Sequence, residues 1–279
     1  MSNIKSPVLR KYEKKLIEVN DQLCYFLFSN AEFESNLKKI KKSEKLFTTD
    51  VFGDNEFASR LHIKIEDLPL HSKKAFNTLV SISHIASVEY LLSYIEEIEE
   101  YHSLIFPTAF DSILDEKKEE QLLQKIKNWS NCSFEIEIIK TIRYLRLRRN
   151  HVVHLSEELN DSLKFLIKNE SNQLNNYWEG MPTQLYDFCF SKQECSSFTV
   201  NEIFALINLV RVCMRKVDEA IMFGLELNDI AKYEFNILRN KDINFIYHPK
   251  KMRKFNRLLL MKYGVKFEIK EDAFFYFFK

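Results

Sequence analysis

Glycine is scarce in this chain of 279 residues, which contains four, whereas a protein of average composition and this length holds roughly 20. The four are isolated, at Gly53, Gly180, Gly224 and Gly264. A phosphate-binding loop, a dinucleotide-binding fingerprint and a nucleophile elbow each need closely spaced glycines. The sequence therefore excludes these three kinds of site.

An excess of charge of one sign is also absent, because 41 Lys and Arg residues balance 40 Asp and Glu residues and leave a formal net charge of +1. Bulk positive charge is what lets a protein wrap duplex DNA. Any contact with nucleic acid must therefore be local.

The five cysteines are scattered without a two-residue spacing. This is typical of reduced thiols in a cytosolic protein and not of a zinc knuckle or a redox pair.

No stretch of the sequence approaches 18 uncharged apolar residues, and the first 20 residues carry charges every few positions. We therefore predict a cytoplasmic protein that neither is secreted nor spans a membrane. Hydrophobic residues make up 46% of the chain and aromatic residues 14%. This content is enough for a sizeable hydrophobic core.

Apolar residues recur at helical spacing over most of the chain. Ser6 as N-cap and Pro7 at the first helical position predict a first helix of about 35 residues. Residues 72–103 are apolar over most of a helix circumference and predict a central helix. We expect Ser133 to cap a third helix, residues 162–177 to form a weaker one, and Thr199 with Glu202 to form a capping box before a strong amphipathic helix.

The last part of the sequence differs from the rest, since residues 248–257 hold five Lys or Arg side chains and residues 265–270 alternate apolar and charged. This pattern predicts a basic helix followed by a small β-hairpin, with a second strand at 274–278. We predict an all-α fold, an up-and-down helical bundle over residues 1–245 with an appendage at 246–279. The five cations are Lys250, Lys251, Arg253, Lys254 and Arg257.

The third predicted helix has a charged residue in its apolar stripe. The stripe runs through Ile138, Ile142 and Leu145 to Arg149, so the guanidinium occupies a position that the periodicity assigns to the interior. An unpaired buried charge would cost several kcal/mol. Arg149 must therefore face a water-filled cleft or pair with a carboxylate, and Glu89, which interrupts an apolar stripe of the central helix, is the candidate partner.

Arg149 begins the string R-N-x-x-x-H, which contains Asn150 and ends at His154. This string, near the end of a helix in a chain rich in helices, resembles the signature of the HEPN superfamily (higher eukaryotes and prokaryotes nucleotide-binding), which is Arg, four to six residues, and His. The order of the predicted helices is also similar. The resemblance covers about 240 residues in architecture and six in motif.

The resemblance implies a metal-independent endoribonuclease of a toxin–antitoxin, abortive-infection or other antiviral defence system. It implies a homodimer with two motifs beside one cleft, with Arg149 and His154 catalytic and Asn150 assisting. No metal and no cofactor are expected, and the expected partners are RNA, a second copy of the chain, and a cognate antitoxin or defence-system protein. We predict contacts with flanking RNA phosphates for Arg143, Arg146, Arg148 and His151.

The residue types fit that chemistry. Histidine titrates near neutrality and can take a proton from the ribose 2′-OH and return one to the leaving 5′ oxygen. Arginine keeps its charge, and its planar fork matches two phosphate oxygens.

Two other interpretations of the motif remain open at this stage. In one, Arg149 is a core arginine paired with Glu89 and His154 is an ordinary capped or exposed histidine, in a non-catalytic HEPN-like scaffold that binds RNA or protein. In the other, the chain is a structural bundle built on its long first helix.

Overall fold

The computed structural model describes residues 4–39, 46–107, 118–130, 133–154, 158–241 and 249–266, and within them the fold is all-α. These ranges contain no strand, and their isolated β-bridge joins Phe47 and Lys64. The helices are α1 (Pro7–Leu37), α2 (Thr48–Val51), α3 (Ala58–Leu61), α4 (Leu68–Ile105, after a 3-10 turn at Ile65–Asp67), α5 (Lys118–Ser130), α6 (Ile136–Val153), α7 (Asp161–Asn169), α8 (Ser171–Glu179), α9 (Val200–Phe223), α10 (Leu227–Lys241) and α11 (Pro249–Tyr263).

Helix α1 begins as predicted. The Ser6 hydroxyl accepts a hydrogen bond from the Leu9 N–H at 2.9 Å, and Pro7 occupies the first helical position. The predicted apolar positions Tyr12, Leu16 and Leu23 are buried, and this face packs along α4. The helix has 31 residues, slightly fewer than predicted.

Helix α4 is the central helix that the composition predicts, and it extends beyond the predicted range at both ends. It packs against α1, α6, α9 and α10. By length and composition alone, the segment Ile65–Ile105 could also cross a membrane, since its most apolar window has a mean hydropathy of 1.2. Val80, Val88, Leu91 and Ile98 of α4 are fully buried in the fold, and 39% of that window is buried overall.

Two local predictions are wrong. Glu135, not Ser133, occupies the N-cap of α6. The single helix predicted over 162–177 is the pair α7 and α8, which meet at Glu170.

Asp218 of α9 joins three helices at the start of α1. Its carboxylate accepts hydrogen bonds from the Ser6 N–H at 3.0 Å, from the Ser6 hydroxyl, and from the Tyr94 hydroxyl of α4 at 3.2 Å. Asp218 is 1% exposed. Burial raises the pKa of this carboxyl to about 6, although the Ser6 and Tyr94 bonds oppose the shift.

The predicted basic helix is α11, and it packs on the body of the protein. Its residues Phe255, Leu259 and Tyr263 belong to the same core as the other helices. The Tyr263 hydroxyl donates to the Glu234 carboxylate of α10 at 2.5 Å and lies 2.5 Å from the Tyr101 hydroxyl of α4. The predicted hairpin lies outside the described residues, except for its first two positions.

Gly264 ends α11 in a backbone conformation that disfavours a side chain. Its φ is +76°, and a Cβ added there would lie 2.4 Å from Arg10 Nη2. We expect Gly264→Ala to lower the free energy of unfolding by about 1–2 kcal/mol, because of the left-handed backbone and the displaced Arg10. Urea denaturation measures this change. The matched control is Gly180→Ala, where φ is −77° and the nearest atom would be 3.5 Å away; equal losses in both variants would contradict the prediction.

Candidate functional site

Arg149 and Asn150 lie next to each other near the end of α6, and both contact charged or polar partners. Arg149 Nη2 forms an ion pair with Glu89 Oε1 of α4, the partner that the sequence predicts. Arg149 Nη1 donates a hydrogen bond to Asn150 Oδ1 at 2.8 Å. The Glu89 side chain is 41% exposed and that of Arg149 is 26% exposed, so both side chains are partly exposed, although the paired Glu89 Oε1 is buried.

A groove of about 680 Å³ runs between α4, α5 and α6 beside this pair. Its polar lining comes from Arg146, Arg149 and Asn150 of α6, Glu89 and Glu96 of α4, and Glu119 of α5. Leu92, Ile95, Leu122 and Ile142 supply apolar walls. The groove is large enough for a nucleotide-sized ligand and combines apolar and charged surface, as small-molecule sites do.

The charges of the groove are largely paired within the chain. Arg146 holds Glu119 through Nε and, at 3.4 Å, through Nη2. Three carboxylates therefore face two guanidiniums in the groove lining. A phosphate that enters must replace a carboxylate at one of the arginines.

His154 is the C-cap of α6, and its backbone N–H donates to the Asn150 carbonyl at 3.0 Å. Its side chain is exposed and is not among the residues that line the groove. Five residues correspond to about 140° around a helix, so Arg149 and His154 leave α6 in different directions. The chain thus places Arg149 and Asn150 together and keeps His154 accessible but apart.

The prediction that Arg148 contacts RNA is wrong, because this side chain is fully buried. Its Nη2 lies 2.7 Å from Glu202 Oε1 of α9, and its Nε donates to the Cys195 carbonyl at 3.1 Å. The guanidinium also lies 4.5 Å from the centre of the Phe198 ring. Arg148 therefore has a structural role, attaching the segment before α9 to α6.

His151 is also buried, at 7% exposure, which contradicts the predicted RNA contact for this residue within the single chain. Burial lowers the pKa of its imidazole, and the nearby Arg148 cation lowers it further. Of the remaining predicted phosphate contacts, Arg146 lies in the groove. Arg143 is half-buried, with an Nε that has no hydrogen-bond partner in the described ranges. For these two arginines the contact with RNA stays a prediction.

A further histidine, His84 of α4, lies near the motif. No pattern in the sequence predicts this position. It is fully buried against the Phe198 ring, with a centroid separation of 5.2 Å. Burial places the pKa of His84 well below its usual value, and the Arg148 and Arg149 cations lower it further. His84 is therefore a neutral core residue at physiological pH.

The described part of the chain contains no group of three or more His, Cys, Asp or Glu side chains placed to hold a metal ion. Comparisons of the chain with models of known families, with curated proteins and with solved structures find no match. The function is therefore inferred from the residues of the chain themselves.

Proposed function

We propose that this chain is a metal-independent endoribonuclease that works as a homodimer, in the cytoplasm, as a toxin or an anti-phage defence effector. The observation that supports the proposal most is the accessible motif at the end of α6. Arg149 and Asn150 line an open groove, and His154 is exposed immediately after the same helix. Neither of the two side chains that the chemistry needs, Arg149 and His154, is enclosed in the core.

In the proposed reaction, His154 removes the proton from a ribose 2′-OH, and the resulting oxygen attacks the adjacent phosphorus. The P–O5′ bond breaks, and the leaving 5′ oxygen takes the proton back from the protonated His154, so the products carry a 2′,3′-cyclic phosphate and a 5′-OH. Arg149 donates hydrogen bonds to the phosphate oxygens on which negative charge grows. DNA lacks the 2′-OH and should resist cleavage.

Exchange of Glu89 for a phosphate at Arg149 is energetically accessible. An ion pair between partly exposed side chains contributes about 0–1 kcal/mol, and both partners here are partly exposed. A phosphate offers the same guanidinium a more highly charged acceptor. Glu89 then holds Arg149 in position before RNA binds and releases it afterwards.

A second protomer would bring the two motif residues together. Because Arg149 and His154 leave one helix about 140° apart, His154 of one chain facing the Arg149 groove of its twin would complete a site that neither chain forms alone. This arrangement predicts that an inactive His154 variant and an inactive Arg149 variant restore activity when mixed.

The deciding experiment incubates the purified chain with RNA in EDTA. We expect cleavage, with 2′,3′-cyclic phosphate ends, and a loss of at least about 100-fold in His154→Ala, since a general base contributes roughly 10²–10⁴ in rate. The matched control is His71→Ala, because His71 is an exposed histidine near the start of α4. Absence of cleavage, or equal cleavage by His154→Ala and the unaltered chain, would overturn the proposal.

The second candidate function is a non-catalytic scaffold that binds RNA or a protein partner, such as a cognate antitoxin or defence-system protein. One observation favours it: the groove holds more carboxylates than guanidiniums, and Arg149 is already paired. A basic segment of a protein partner would find acidic contacts there. RNA or protein binding without cleavage, unchanged by His154→Ala, would support the scaffold.

A further inference from the structure

Helix α11 has two chemically different faces. Phe255, Leu259 and Tyr263 form the buried face, which packs against the core. Arg253, Lys254 and Arg257 lie on the other face and are exposed. Since residues 253 and 257 are one turn apart, the three cations form a continuous strip about 6 Å long.

These three cations differ from the other basic groups at this end of the molecule. Lys262 of the same helix is bound to Glu234, and Arg10 donates to the Met261 carbonyl at 2.6 Å. Arg253, Lys254 and Arg257 have no ion pair with any carboxylate in the parts of the chain that the structure describes. The strip therefore carries positive charge that the described fold does not compensate.

An open groove of about 360 Å³ lies along the strip. Lys254, Arg257 and Lys262 form its charged edge, and Leu258 and Met261 form its apolar floor. Met261 is 69% exposed, which is unusual for a side chain that otherwise prefers the interior. A cationic edge beside an apolar floor suits a ligand that combines phosphate groups with flat aromatic rings, because a thioether contacts aromatic rings favourably.

We propose that the exposed face of α11 is a binding surface for single-stranded RNA, separate from the motif of α6. Charge complementarity selects a polyanion. A membrane surface fits less well, because an interfacial helix inserts its apolar face among lipid chains, whereas the apolar face of α11 is already packed in the protein core. The surface binds RNA whether or not the chain cleaves it, so this inference goes beyond the proposed function.

The test measures binding of a fluorescein-labelled oligouridylate of about 12 nucleotides, a length within the site sizes of single-strand binding domains. Fluorescence anisotropy is recorded with the full chain in EDTA, at salt concentrations from about 50 to about 200 mM. All proteins carry His154→Ala so that the probe stays intact. The test variant combines Arg253→Gln, Lys254→Gln and Arg257→Gln.

The matched control removes the same charge elsewhere, through Lys38→Gln, Lys73→Gln and Lys74→Gln. These lysines are exposed at the other end of the long helices, and Lys73 is about 40 Å along α4 from Tyr101, where α11 docks. We expect the slope of log K against log salt to become shallower by about 2 in the test variant, since each phosphate contact contributes about 0.7. From about 50 to about 200 mM salt, the test variant should therefore lose roughly 20-fold less affinity than its parent. The control variant should keep the slope of the His154→Ala parent.

The inference would be overturned if the oligonucleotide did not bind, or if the test and control variants had equal slopes. It would also be overturned if the test variant lost binding to anionic phosphatidylserine vesicles as strongly as it lost binding to RNA. A thermal midpoint within a few degrees of the parent shows that the test variant is folded. The outcome is distinguishable from that of the nuclease proposal. Binding that depends on α11, in a chain that cuts no RNA when His154 is present, would reject the nuclease and keep this surface.

Discussion

Arg148→Met is expected to lower the free energy of unfolding by about 3–5 kcal/mol, because it leaves a buried carboxylate without its main partner. Arg148 is fully buried and Glu202 is 5% exposed. The substitution also removes the donor that the Cys195 carbonyl accepts from at 3.1 Å. Lys192 remains 2.6 Å from Glu202 Oε2, so the carboxylate keeps this cation and loses the fully buried one at Oε1.

Urea denaturation of matched variants measures this effect. The control is Lys164→Met, because Lys164 forms an ion pair with the largely exposed Glu158 and such a pair contributes at most about 1 kcal/mol. The double variant Arg148→Met with Glu202→Gln should recover part of the loss, since the side chain that has lost its buried Oε1 partner then carries no charge, and the partly exposed Lys192 can be solvated. A loss below about 1 kcal/mol in Arg148→Met would contradict the structural role of this pair.

The stability of the fold should fall as the pH rises through the titration of Asp218. The pKa of this carboxyl is about 6 in the fold and 3.8 without the fold, because burial disfavours the charged form. Between these two values the folded state binds more protons than the unfolded state, so the free energy of unfolding decreases with increasing pH. The shift corresponds to about 3 kcal/mol of stability, which is fully present only below the unfolded-state pKa of 3.8 and is lost as the pH rises through about 6.

Other groups titrate in this range, so the measurement is a difference between two proteins. Asp218→Asn keeps an acceptor for the Ser6 and Tyr94 donors but does not titrate. We expect the stability of the unaltered chain, relative to Asp218→Asn, to fall by about 2.4 kcal/mol from pH 4 to pH 7. A constant difference, or one that grows with pH, would show that Asp218 is not protonated in the fold at low pH.

Helical spacing and capping chemistry predicted the elements that lie in the core. The Ser6 cap, the Thr199 and Glu202 capping box and the burial of Leu16 and Leu145 follow from local rules that need no partner. These signals predict the ends and the buried faces of α1 and α9 well. They fail at Ser133, where the first turn of α6 starts two residues later than the best capping residue suggests.

The Arg149–Glu89 pair was predictable because both charges interrupt apolar stripes that face each other. The apolar stripe through Arg149 predicts one buried face for α6 and leaves Arg148 outside it, whereas α6 packs on α4 and α9 and also on α7 and α8. A second stripe, with Thr141, Tyr144 and Arg148 at spacings of three and four, was the available signal. The carbonyls of Cys195 and Ser197 that Arg148 contacts lie in a segment without periodicity, so no pattern could have identified them.

Helix α4 connects the two proposed RNA-contacting regions. Glu89, which holds Arg149, and Tyr101, which touches Tyr263 of α11, are separated by about 18 Å of uninterrupted helix. RNA that occupied both proposed surfaces at once would therefore contact groups held by the same helix, about 18 Å apart along its axis.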